Sequence, residues 1–278
     1  MSELGSARAI SITEIILYPI KSCSGISVES ADLEPQGLFE DRRFMLVDTQ
    51  GRFLTQREHI SMSRFTFNSS SQGWSVQMRG MPNLNLPSIL PKKQERLVKI
   101  WKDEVSVVVA CSGYNEWFSD AIGLRCELVQ MQDKNLRLIH NGKGKPGDIV
   151  SLADGSPVLL TSEASLNDLN QRLSKPISMA RFRPNLVISG DIAFMEDYWR
   201  YIKVGEVEFE VAWPCTRCVV TTIDPDISEK DPNGEPIKTL KRFRSSPDGV
   251  MFGQNLIPRR LGKVKVGDQV EVLEEKNL

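Results

Sequence analysis

The first half of the chain alternates apolar and polar residues over short segments separated by turn residues, which is typical of half-buried β-strands. Three pairs of these segments predict β-hairpins, over 43–48 with 52–56, 64–68 with 74–78, and 97–101 with 105–110. A further strand is predicted over 12–20, and a helix over 114–122 that ends at Gly123. The strand cores are expected to include three tryptophans, Trp74, Trp101 and Trp213. Many short strands with few helices indicate a barrel or a sandwich.

The second half of the chain continues the β-rich pattern around one predicted helix. Strands are predicted over 158–161, 186–189, 200–204, 207–211, 264–266 and 270–273. The last four form two similar pairs, each around a Gly-Glu or Gly-Asp turn. Ser162 is a suitable N-cap for a helix that carries Leu166, Leu169 and Leu173 on one face. Gly253 indicates either a close backbone approach or a simple loop.

Between the two halves lies a polar, glycine-rich segment, HNGKGKPG at 140–147. This composition predicts a linker or a mobile loop. With 278 residues the chain is long enough for two domains of ordinary size. We therefore expect one domain over 10–140 and a second over 148–275.

Composition and charge exclude several classes of function. The 35 Lys and Arg residues are balanced by 36 Asp and Glu residues, so the chain is not a general binder of nucleic acid. No apolar run approaches the roughly 20 residues of a membrane helix, and the first residues lack the pattern of a signal peptide. Five cysteines, an odd number, do not suggest a disulfide framework, which indicates a reducing compartment and hence a cytoplasmic protein.

The segment PCTRC at 214–218 carries the most distinctive chemistry of the chain. Thiolates are soft metal ligands, and a neighbouring guanidinium favours the ionised sulfur and can hold an anion. An iron–sulfur cluster or a structural zinc site needs about four protein ligands, whereas only Cys215 and Cys218 are closely spaced here. Residues 219–223 are β-branched and predict a strand, which disfavours a thioredoxin-like dithiol. The pair is equally consistent with two buried thiols that pack as small apolar groups.

Cations and hydroxyls at several turns predict an anion site. Lys21 and Ser22 end the first strand, where backbone N–H groups can join them in cradling a phosphate. Arg42 and Arg183 each precede a strand, and a planar guanidinium binds phosphate through two hydrogen bonds. Taken alone, each of these cations is more simply explained as a solvated surface residue. The acidic residue Asp154 lies in a predicted turn.

Taken together and in order, these segments resemble the MOSC superfamily, which is named for the C-terminal domain of molybdenum-cofactor sulfurase. The likeness to its N-terminal β-barrel domain rests on YPIKSCSGISVESADLEPQGLFEDRRFMLVD. The likeness to the MOSC domain rests on SEASLNDLNQRL, RFRPNLVISG, PCTRCVVTTIDP, EPIKTLKRFR and FGQNL. The resemblance covers nearly the whole chain and implies a mainly β fold with some α, composed of an N-terminal MOSC β-barrel domain and a MOSC β-barrel domain.

The motifs are most similar to a branch that contains amidoxime-reducing components and bacterial proteins that detoxify N-hydroxylated bases. This resemblance implies an oxidoreductase with a molybdenum cofactor that reduces hydroxylamines, amidoximes or N-hydroxypurines to amines. Its electrons would come from a separate donor protein of the ferredoxin, flavin reductase or cytochrome b5 type, because the chain ends at Leu278 without a Cys-rich ferredoxin tail. Pyridoxal phosphate binding is a further expectation that the resemblance carries.

Two other functions stay open at this point. The first is a carrier of the molybdenum cofactor, or a sulfur-transfer protein, without turnover of its own, in which Cys218 would carry sulfur. The second is a β-rich binding module with no metal.

The resemblance also implies roles for individual residues. Cys218 matches the thiolate that ligates molybdenum, and Cys215 keeps a structural role. Asp154 would lie beside the metal and assist proton delivery. Gly155 departs from the family pattern, so only a backbone contact to the cofactor is expected there. The expected cofactor-binding residues, of which the first three surround the terminal phosphate, are Lys21, Ser22, Arg42, Ser156, Arg183, Asn185, Thr216, Arg217 and Cys218.

Overall fold

The computed structural model describes residues 9–91, 94–135, 137–140 and 143–276, and β-strands dominate them. The strands of the first half are β1 (Ile12–Leu17), β2 (Ile26–Val28), β3 (Ser30–Glu34), β4 (Gly37–Leu38), β5 (Phe44–Val47), β6 (Thr66–Ser70), β7 (Gly73–Gln77), β8 (Leu84–Pro87), β9 (Glu95–Ile100), β10 (Asp103–Val109) and β11 (Glu127–Met131). Those of the second half are β12 (Val158–Ser162), β13 (Leu186–Ile188), β14 (Trp199–Val204), β15 (Val207–Thr216), β16 (Ile223–Asp224), β17 (Glu229–Lys230), β18 (Ser245–Ser246), β19 (Gly249–Arg260), β20 (Gly262–Lys265) and β21 (Val270–Glu275).

Helices are few and short. The α-helices are α1 (Ser112–Ile122), α2 (Glu163–Gln171) and α3 (Ile237–Leu240), and the 3₁₀ helices are Ile60–Arg64, Met179–Phe182, Met195–Tyr198 and Val219–Thr222. The prediction of a mainly β fold with some α is confirmed. None of the described helices is long and apolar enough to cross a membrane.

The largest sheet joins the two halves of the chain. Its strand order is β2-β1-β13-β12-β19-β15-β14-β21, with β18 also paired to β19. β1 lies antiparallel to β13, with Ile15 opposite Leu186. β20 pairs with β3 in a smaller sheet that β4 completes. These pairings cross the expected boundary between domains over 10–140 and 148–275, a division that stays a prediction, and they bring the first turns of the chain to the strands of the second half.

The rest of the first half forms two further sheets. β5, β11, β10 and β9 pair in that order, and β6, β7 and β8 form the other. Pairing of β6 with β7 and of β9 with β10 confirms the second and third predicted hairpins. The helix predicted over 114–122 is α1, and Gly123 ends it at φ 75°. Glycine adopts this left-handed conformation without the penalty of a Cβ.

The predicted helix after Ser162 is α2, and its apolar face packs on a small core cluster. Leu169 is fully buried there, with Leu166 and Leu173 packed against the cluster. The cluster also contains the stacked rings of Phe182 and Phe252, whose centroids are 3.9 Å apart. The hydroxyl of Ser162 makes no capping hydrogen bond, so this residue precedes the helix without capping it.

The first predicted hairpin, over 43–48 and 52–56, is wrong in its second half. β5 forms, but it takes β11 as its partner. The chain does reverse, since Val47 bridges Phe53 and the N–H of Leu54 donates to the carbonyl of Leu46. The Asp48 carboxylate accepts N–H groups within this turn. The returning segment is too short to form a strand, because the chain turns again after Thr55.

The strand predicted over 219–223 is also wrong, because Val219–Thr222 forms a 3₁₀ helix. The hydroxyls of Thr221 and Thr222 donate to the carbonyls of Cys218 and Val219, at 3.0 and 2.7 Å. These local bonds outweigh the β propensity of the branched side chains. Cys218 therefore stands immediately before a helical turn instead of a strand.

The last two predicted strands do form, but they do not pair with each other. β20 pairs with β3, and β21 pairs with β14. The Gly267 turn therefore changes sheets, whereas the similar Gly205 turn joins β14 to β15 as a true hairpin. Local turn residues specify a reversal of the chain, but not the partner that each strand finds.

The predicted linker 140–147 lies partly outside the described residues, because these exclude 141 and 142. The backbone on either side is paired, since Leu138 bridges Ile149 in antiparallel fashion. The Asp148 carboxylate accepts two hydrogen bonds from Arg259 of β19, at 2.5 and 2.8 Å. The flanks of this segment are therefore attached to the large sheet.

Candidate functional site

A cavity of about 170 Å³ lies where turns of the first half meet strand ends of the second half. We call it the small cavity. All the residues that the sequence analysis singled out as cofactor-binding or catalytic line it, namely Lys21, Ser22, Arg42, Asp154, Ser156, Arg183, Asn185, Thr216, Arg217 and Cys218. Cys215 and Gly155 line it as well. The β1–β13 pairing explains this convergence, because it sets the turn after β1 beside the residues that precede β13.

Three of these residues have a left-handed backbone that side chains other than glycine rarely adopt. The φ angles are 66° at Ser22, 51° at Arg42 and 55° at Arg183. Backbone hydrogen bonds fix two of them, because the N–H of Arg42 donates to Tyr18 and that of Arg183 to Ala180. Strained residues that gather at one cavity point to a functional constraint on where their side chains lie.

Arg42 is held on three sides. Its guanidinium donates to the Asp41 carboxylate at 2.6 Å, to the Asn185 side-chain oxygen at 3.1 Å and to the carbonyl of Arg183 at 3.3 Å. Burial opposes the charge, but Asp41 outweighs it and raises the pKa of Arg42. Asn185 is buried and also donates to the carbonyl of Ile16. This network fixes one cation on the cavity wall.

Lys21 and Asp154 form an ion pair within the small cavity. Lys21 is only 4% exposed, and this burial lowers its pKa to about 8 despite the opposing effect of Asp154. Desolvation opposes ionisation of Asp154, but Lys21 and Arg57 hold the pKa of that carboxyl well below its usual range. The indole N–H of Trp101 also donates to Asp154, at 3.2 Å. Asp154 is therefore an ionised hydrogen-bond acceptor at neutral pH.

The thiol of Cys218 has a guanidinium as its neighbour. Nη2 of Arg57 lies 3.2 Å from the sulfur and 3.6 Å from Asp154. The guanidinium carbon of Arg57 also lies 4.7 Å from the Trp101 ring centroid. The expectation that Trp101 packs in a strand core is wrong, since it is 51% exposed in the turn after β9.

Arg57 and Trp101 are functional-site residues that the sequence analysis missed. Neither has a recognisable motif around it, and Arg57 reaches the site only because the expected strand at 52–56 is replaced by a turn. Trp101 reaches it because the turn between β9 and β10 faces Asp154. No local signal in the sequence could have found either residue.

Cys215 has a different cationic neighbour. Nη1 of Arg217 lies 2.9 Å from its sulfur, and Nη2 of the same guanidinium donates to the carbonyl of Phe182. Nε of Arg217 is buried without a hydrogen-bond partner in the described part of the chain. A buried donor without a partner is costly unless a ligand satisfies it.

Ser156 and Gly155 close the cavity near β12. The hydroxyl of Ser156 donates to the carbonyl of Val158 at 2.9 Å, which fixes the turn before that strand. A Cβ at Gly155 would meet no described atom within 4 Å, so the backbone here is open to a ligand.

A larger space of about 940 Å³ adjoins the small cavity, and we call it the large cleft. Gln56, Arg181, Arg183 and Val220 line both spaces. The Arg181 side chain is buried and paired with Asp224 at 2.9 Å. The small cavity therefore shares a wall with a volume that is large enough for a small organic molecule.

Comparison with known proteins gives two family matches that cover most of the chain. Residues 9–125 match the MOSC N-terminal beta barrel domain, and residues 147–271 match the MOSC domain. The chain is 30% identical to mitochondrial amidoxime-reducing component 1 of Mus musculus, over 94% of this chain and 82% of that protein. It is 31% identical to mitochondrial amidoxime reducing component 2 of Rattus norvegicus, over 93% of this chain and 82% of that protein.

The chain belongs to the MOSC-domain family. It is also 30% identical to molybdenum cofactor sulfurase of Oryza sativa subsp. japonica, over 89% of this chain but only 33% of that much longer protein. The resemblance inferred from the sequence motifs is therefore confirmed, and the fold matches its MOSC architecture.

The donor set of this MOSC protein suits a metal that arrives with most of its own ligands. Within the described residues, no cluster of three or more His, Cys, Asp and Glu side chains could hold a bare metal ion. A cofactor that brings sulfur and oxo ligands, together with a phosphate, would need one thiolate and a group of cations. Cys218, Lys21, Arg42 and Arg183 supply these, and Arg217 offers an unused buried donor. The residues present fit such a group.

Proposed function

We propose that this MOSC-family protein binds a molybdenum cofactor and reduces N-hydroxylated compounds to amines. The observation that carries the proposal is the convergence of Cys218 with Lys21, Arg42 and Arg183 around one cavity. A single thiolate suits a soft metal, and the cations suit a phosphate. Relatives named amidoxime-reducing components support the reaction class, since the similarity extends over 94% and 93% of this chain.

Lys21, Ser22 and Arg42 would hold the cofactor's phosphate. The Lys21 ammonium is buried, and a charge in a poorly solvated site acts more strongly on an anion than one in water. Arg42 presents a guanidinium already fixed by Asp41 and Asn185. The remaining cofactor contacts would come from Ser156, Arg183, Asn185, Thr216 and Arg217. At Gly155 only the backbone is available for contact.

Cys218 would provide the protein's ligand to molybdenum, and Arg57 would support it. Nη2 of Arg57 lies 3.2 Å from the sulfur, so its positive charge would offset the negative charge of a thiolate bound to the metal. Cys215, whose sulfur contacts Arg217 instead, keeps a structural role. When bound, the molybdenum cofactor would supply the two-electron chemistry that removes the oxygen atom of the N–OH group.

The overall reaction is R–NH–OH + 2 e⁻ + 2 H⁺ → R–NH₂ + H₂O, so protons must reach the substrate. Asp154 is ionised in the free protein and accepts hydrogen bonds from Lys21 and Trp101. The Lys21 ammonium would stay charged to hold the phosphate, and its hydrogen bond would keep Asp154 in place. Asp154, whose side chain is 58% exposed, would take a proton from solvent and pass it toward the substrate.

A separate protein would supply the electrons. Reconstitution with a ferredoxin, with a flavin reductase and with a cytochrome b5 system would identify the type of donor. The cytoplasmic location and the binding of pyridoxal phosphate both stay predictions, and no residue of the small cavity is assigned to pyridoxal phosphate.

The proposed reaction is tested by comparing Cys218→Ala with Cys111→Ala. Cys111 is exposed and lines neither cavity, so its variant controls for loss of a thiol as such. With benzamidoxime as substrate and an artificial electron donor, we expect Cys218→Ala to lose activity and Cys111→Ala to keep it. Wild-type activity in Cys218→Ala would refute the proposal.

The second candidate is a cofactor carrier or sulfur-transfer protein. It is favoured by the similarity to a molybdenum cofactor sulfurase and by the partial exposure of Cys218. In this case a donor protein with a cysteine persulfide would pass its outer sulfur atom to the Cys218 thiol, and the S–S bond of the donor would break to leave the donor as a thiol. Mass spectrometry of the freshly isolated protein would detect the persulfide on Cys218. A persulfide together with no reduction of benzamidoxime would favour this candidate over the reductase.

A further inference from the structure

The ring of Tyr18 lies against two cations of the small cavity. The guanidinium carbon of Arg42 is 4.4 Å from the ring centroid, and that of Arg183 is 4.3 Å away. Both distances are well inside the limit of about 6 Å for a cation–π interaction. Tyr18 itself lines the large cleft and not the small cavity. It therefore contacts both cations from outside the site that they line.

The two cations need support because they are close to each other. Both guanidinium carbons lie within 4.4 Å of the same ring centroid, and burial together with the charge of Arg42 lowers the pKa of Arg183. Arg42 has the Asp41 carboxylate as a counter-ion. Arg183 donates to the carbonyl of Cys23 at 2.6 Å, and no carboxylate of the described residues forms a salt bridge with it. The face of the Tyr18 ring thus gives Arg183 an electron-rich neighbour at 4.3 Å.

Tyr18 is itself held in place, so its ring can fix the positions of the two cations. It is 3% exposed, its N–H donates to Asp41 at 2.9 Å, and its carbonyl accepts the N–H of Arg42 at 2.7 Å. Burial raises the pKa of its hydroxyl to about 12, against the effect of the two guanidiniums. The side chain therefore stays neutral, and it attracts the cations through its ring instead of a phenolate charge.

Gly25 packs directly on this ring. A Cβ at position 25 would lie 2.7 Å from Cε1 of Tyr18 and 2.6 Å from Cγ2 of Ile16. Both distances are far shorter than ordinary van der Waals contact. Any side chain at 25 would therefore displace the ring, which gives a second way to disturb it without removing it.

We propose that Tyr18 is a positioning residue that holds Arg42 and Arg183 in the arrangement that binds a phosphate group, an inference that rests on the proposed function of the small cavity. Arg42 is attached through both the backbone and the ring of Tyr18, and Arg183 through the ring alone. Loss of the ring would therefore leave the Arg183 guanidinium with the carbonyl of Cys23 as its hydrogen-bond acceptor, free to move away from the fixed Arg42. Affinity for an anion would fall although neither cation had been changed.

The experiment measures binding of inorganic phosphate to the full chain, expressed without the cofactor, by isothermal titration calorimetry. Tyr18→Leu keeps an apolar but smaller side chain and removes the π face, and we expect about tenfold weaker binding from the loss of two cation–π contacts. Tyr18→Phe keeps the face and should bind within about twofold of wild type. Rescue by phenylalanine separates the ring effect from the hydroxyl.

Matched controls come from elsewhere in the chain. Tyr201 also lies near two cations, Lys145 and Arg200, both at 5.6 Å, but it lines neither cavity, so Tyr201→Leu should leave phosphate affinity unchanged. Gly25→Ala should weaken binding several-fold. At Gly113 a Cβ would meet nothing within 4 Å, so Gly113→Ala should have no effect.

The outcomes distinguish failure of the Tyr18 inference from failure of the proposed cofactor site. Phosphate binding by Tyr18→Leu at wild-type affinity, or equal losses in Tyr18→Leu and Tyr18→Phe, would overturn the inference while leaving the cofactor site in place. Absence of phosphate binding in the wild type would overturn the phosphate cradle and the inference with it. If Tyr18→Leu does not fold, Gly25→Ala decides, and wild-type affinity in that variant would overturn the inference.

Discussion

The ammonium of Lys21 is hydrogen-bonded to the carboxylate of Asp154 across 133 residues of sequence. The side chain of Lys21 is 5% exposed, whereas that of Asp154 is 58% exposed. The pair therefore runs from the buried end of the small cavity to its open side. The pair joins the turn after β1 to the turn before β12, and it places one positive and one negative charge in the small cavity.

Binding of an anion should depend on the protonation of Lys21. Burial lowers the pKa of Lys21 to about 8, so the ammonium carries its charge below that pH and loses it above. We expect affinity for inorganic sulfate, whose own charge is constant over this range, to fall about tenfold as the pH rises from 7 to 9.5. Lys21→Arg should keep its affinity throughout, because a guanidinium stays charged. A flat profile in the wild type, or the same fall in Lys21→Arg, would contradict this prediction.

Arg57 should govern the reactivity of Cys218. Its Nη2 atom lies 3.2 Å from the sulfur, so its positive charge offsets the negative charge on the sulfur as it attacks an electrophile. We expect Arg57→Gln to slow alkylation of Cys218 by iodoacetamide about fivefold, as measured by mass spectrometry of the Cys218 peptide. Arg52→Gln, an exposed arginine of the same segment, is the control and should not change the rate. An unchanged rate in Arg57→Gln would show that the guanidinium does not act on the thiol.

Glu196 should make the stability of the protein depend on pH. It is fully buried, and burial raises its pKa to about 7, above the ordinary value of 4.5. Its stabilising contribution is therefore complete below pH 4.5 and is lost as the pH rises through 7. Glu196→Gln should raise the free energy of unfolding by roughly 1–3 kcal/mol at pH 8 and have little effect at pH 5.

Denaturant unfolding at the two pH values measures this difference. Glu116→Gln, which changes an exposed carboxyl on α1, serves as the control and should not alter the pH dependence. Equal stability of the wild type and Glu196→Gln at pH 8 would show that the buried carboxyl is tolerated in its charged form.

Gly253 should be essential for the packing of β19 against β12. Its φ is 78°, and a Cβ would lie 2.6 Å from the carbonyl oxygen of Leu160. Gly234 has a similar φ of 74° but nothing within 4 Å of a Cβ placed there. Alanine at 234 therefore suffers only the backbone strain, whereas alanine at 253 suffers the strain and the clash with Leu160. We expect Gly234→Ala to cost about 1 kcal/mol and Gly253→Ala to cost about 3 kcal/mol in the free energy of unfolding. An equal decrease in the free energy of unfolding in the two variants would show that the clash with Leu160 costs nothing.

Much of the fold could be predicted because its signals are local. Alternating apolar positions gave most strands, and Gly123 marked the end of α1. Gly253 was expected either to approach another backbone or to lie in a loop, and the first alternative is confirmed. The errors arose where local and distant partners competed. β5 took β11 as its main partner and kept only a short contact with the next segment. The threonines after Cys218 formed local bonds that overrode their β propensity.

The candidate site could be predicted in part, because its cations and thiols stand in motifs that belong to the MOSC family. Their convergence depends on the β1–β13 pairing, which no local pattern specifies. Arg57 and Trp101 could not be found, since each reaches Cys218 or Asp154 only through the turn that carries it. Tyr18 could not be found from the sequence either, because its proposed role depends on contacts with Arg42 and Arg183, which are distant in sequence.

The most direct test of the account is the molybdenum content of the protein after expression in cells that make the cofactor, measured by mass spectrometry of the metal together with pterin fluorescence. The account predicts about one molybdenum and one pterin per wild-type chain, with most of the metal lost in Cys218→Ala. A wild-type protein without molybdenum, or a Cys218→Ala variant that retains as much of it as the wild type, would contradict the central claim.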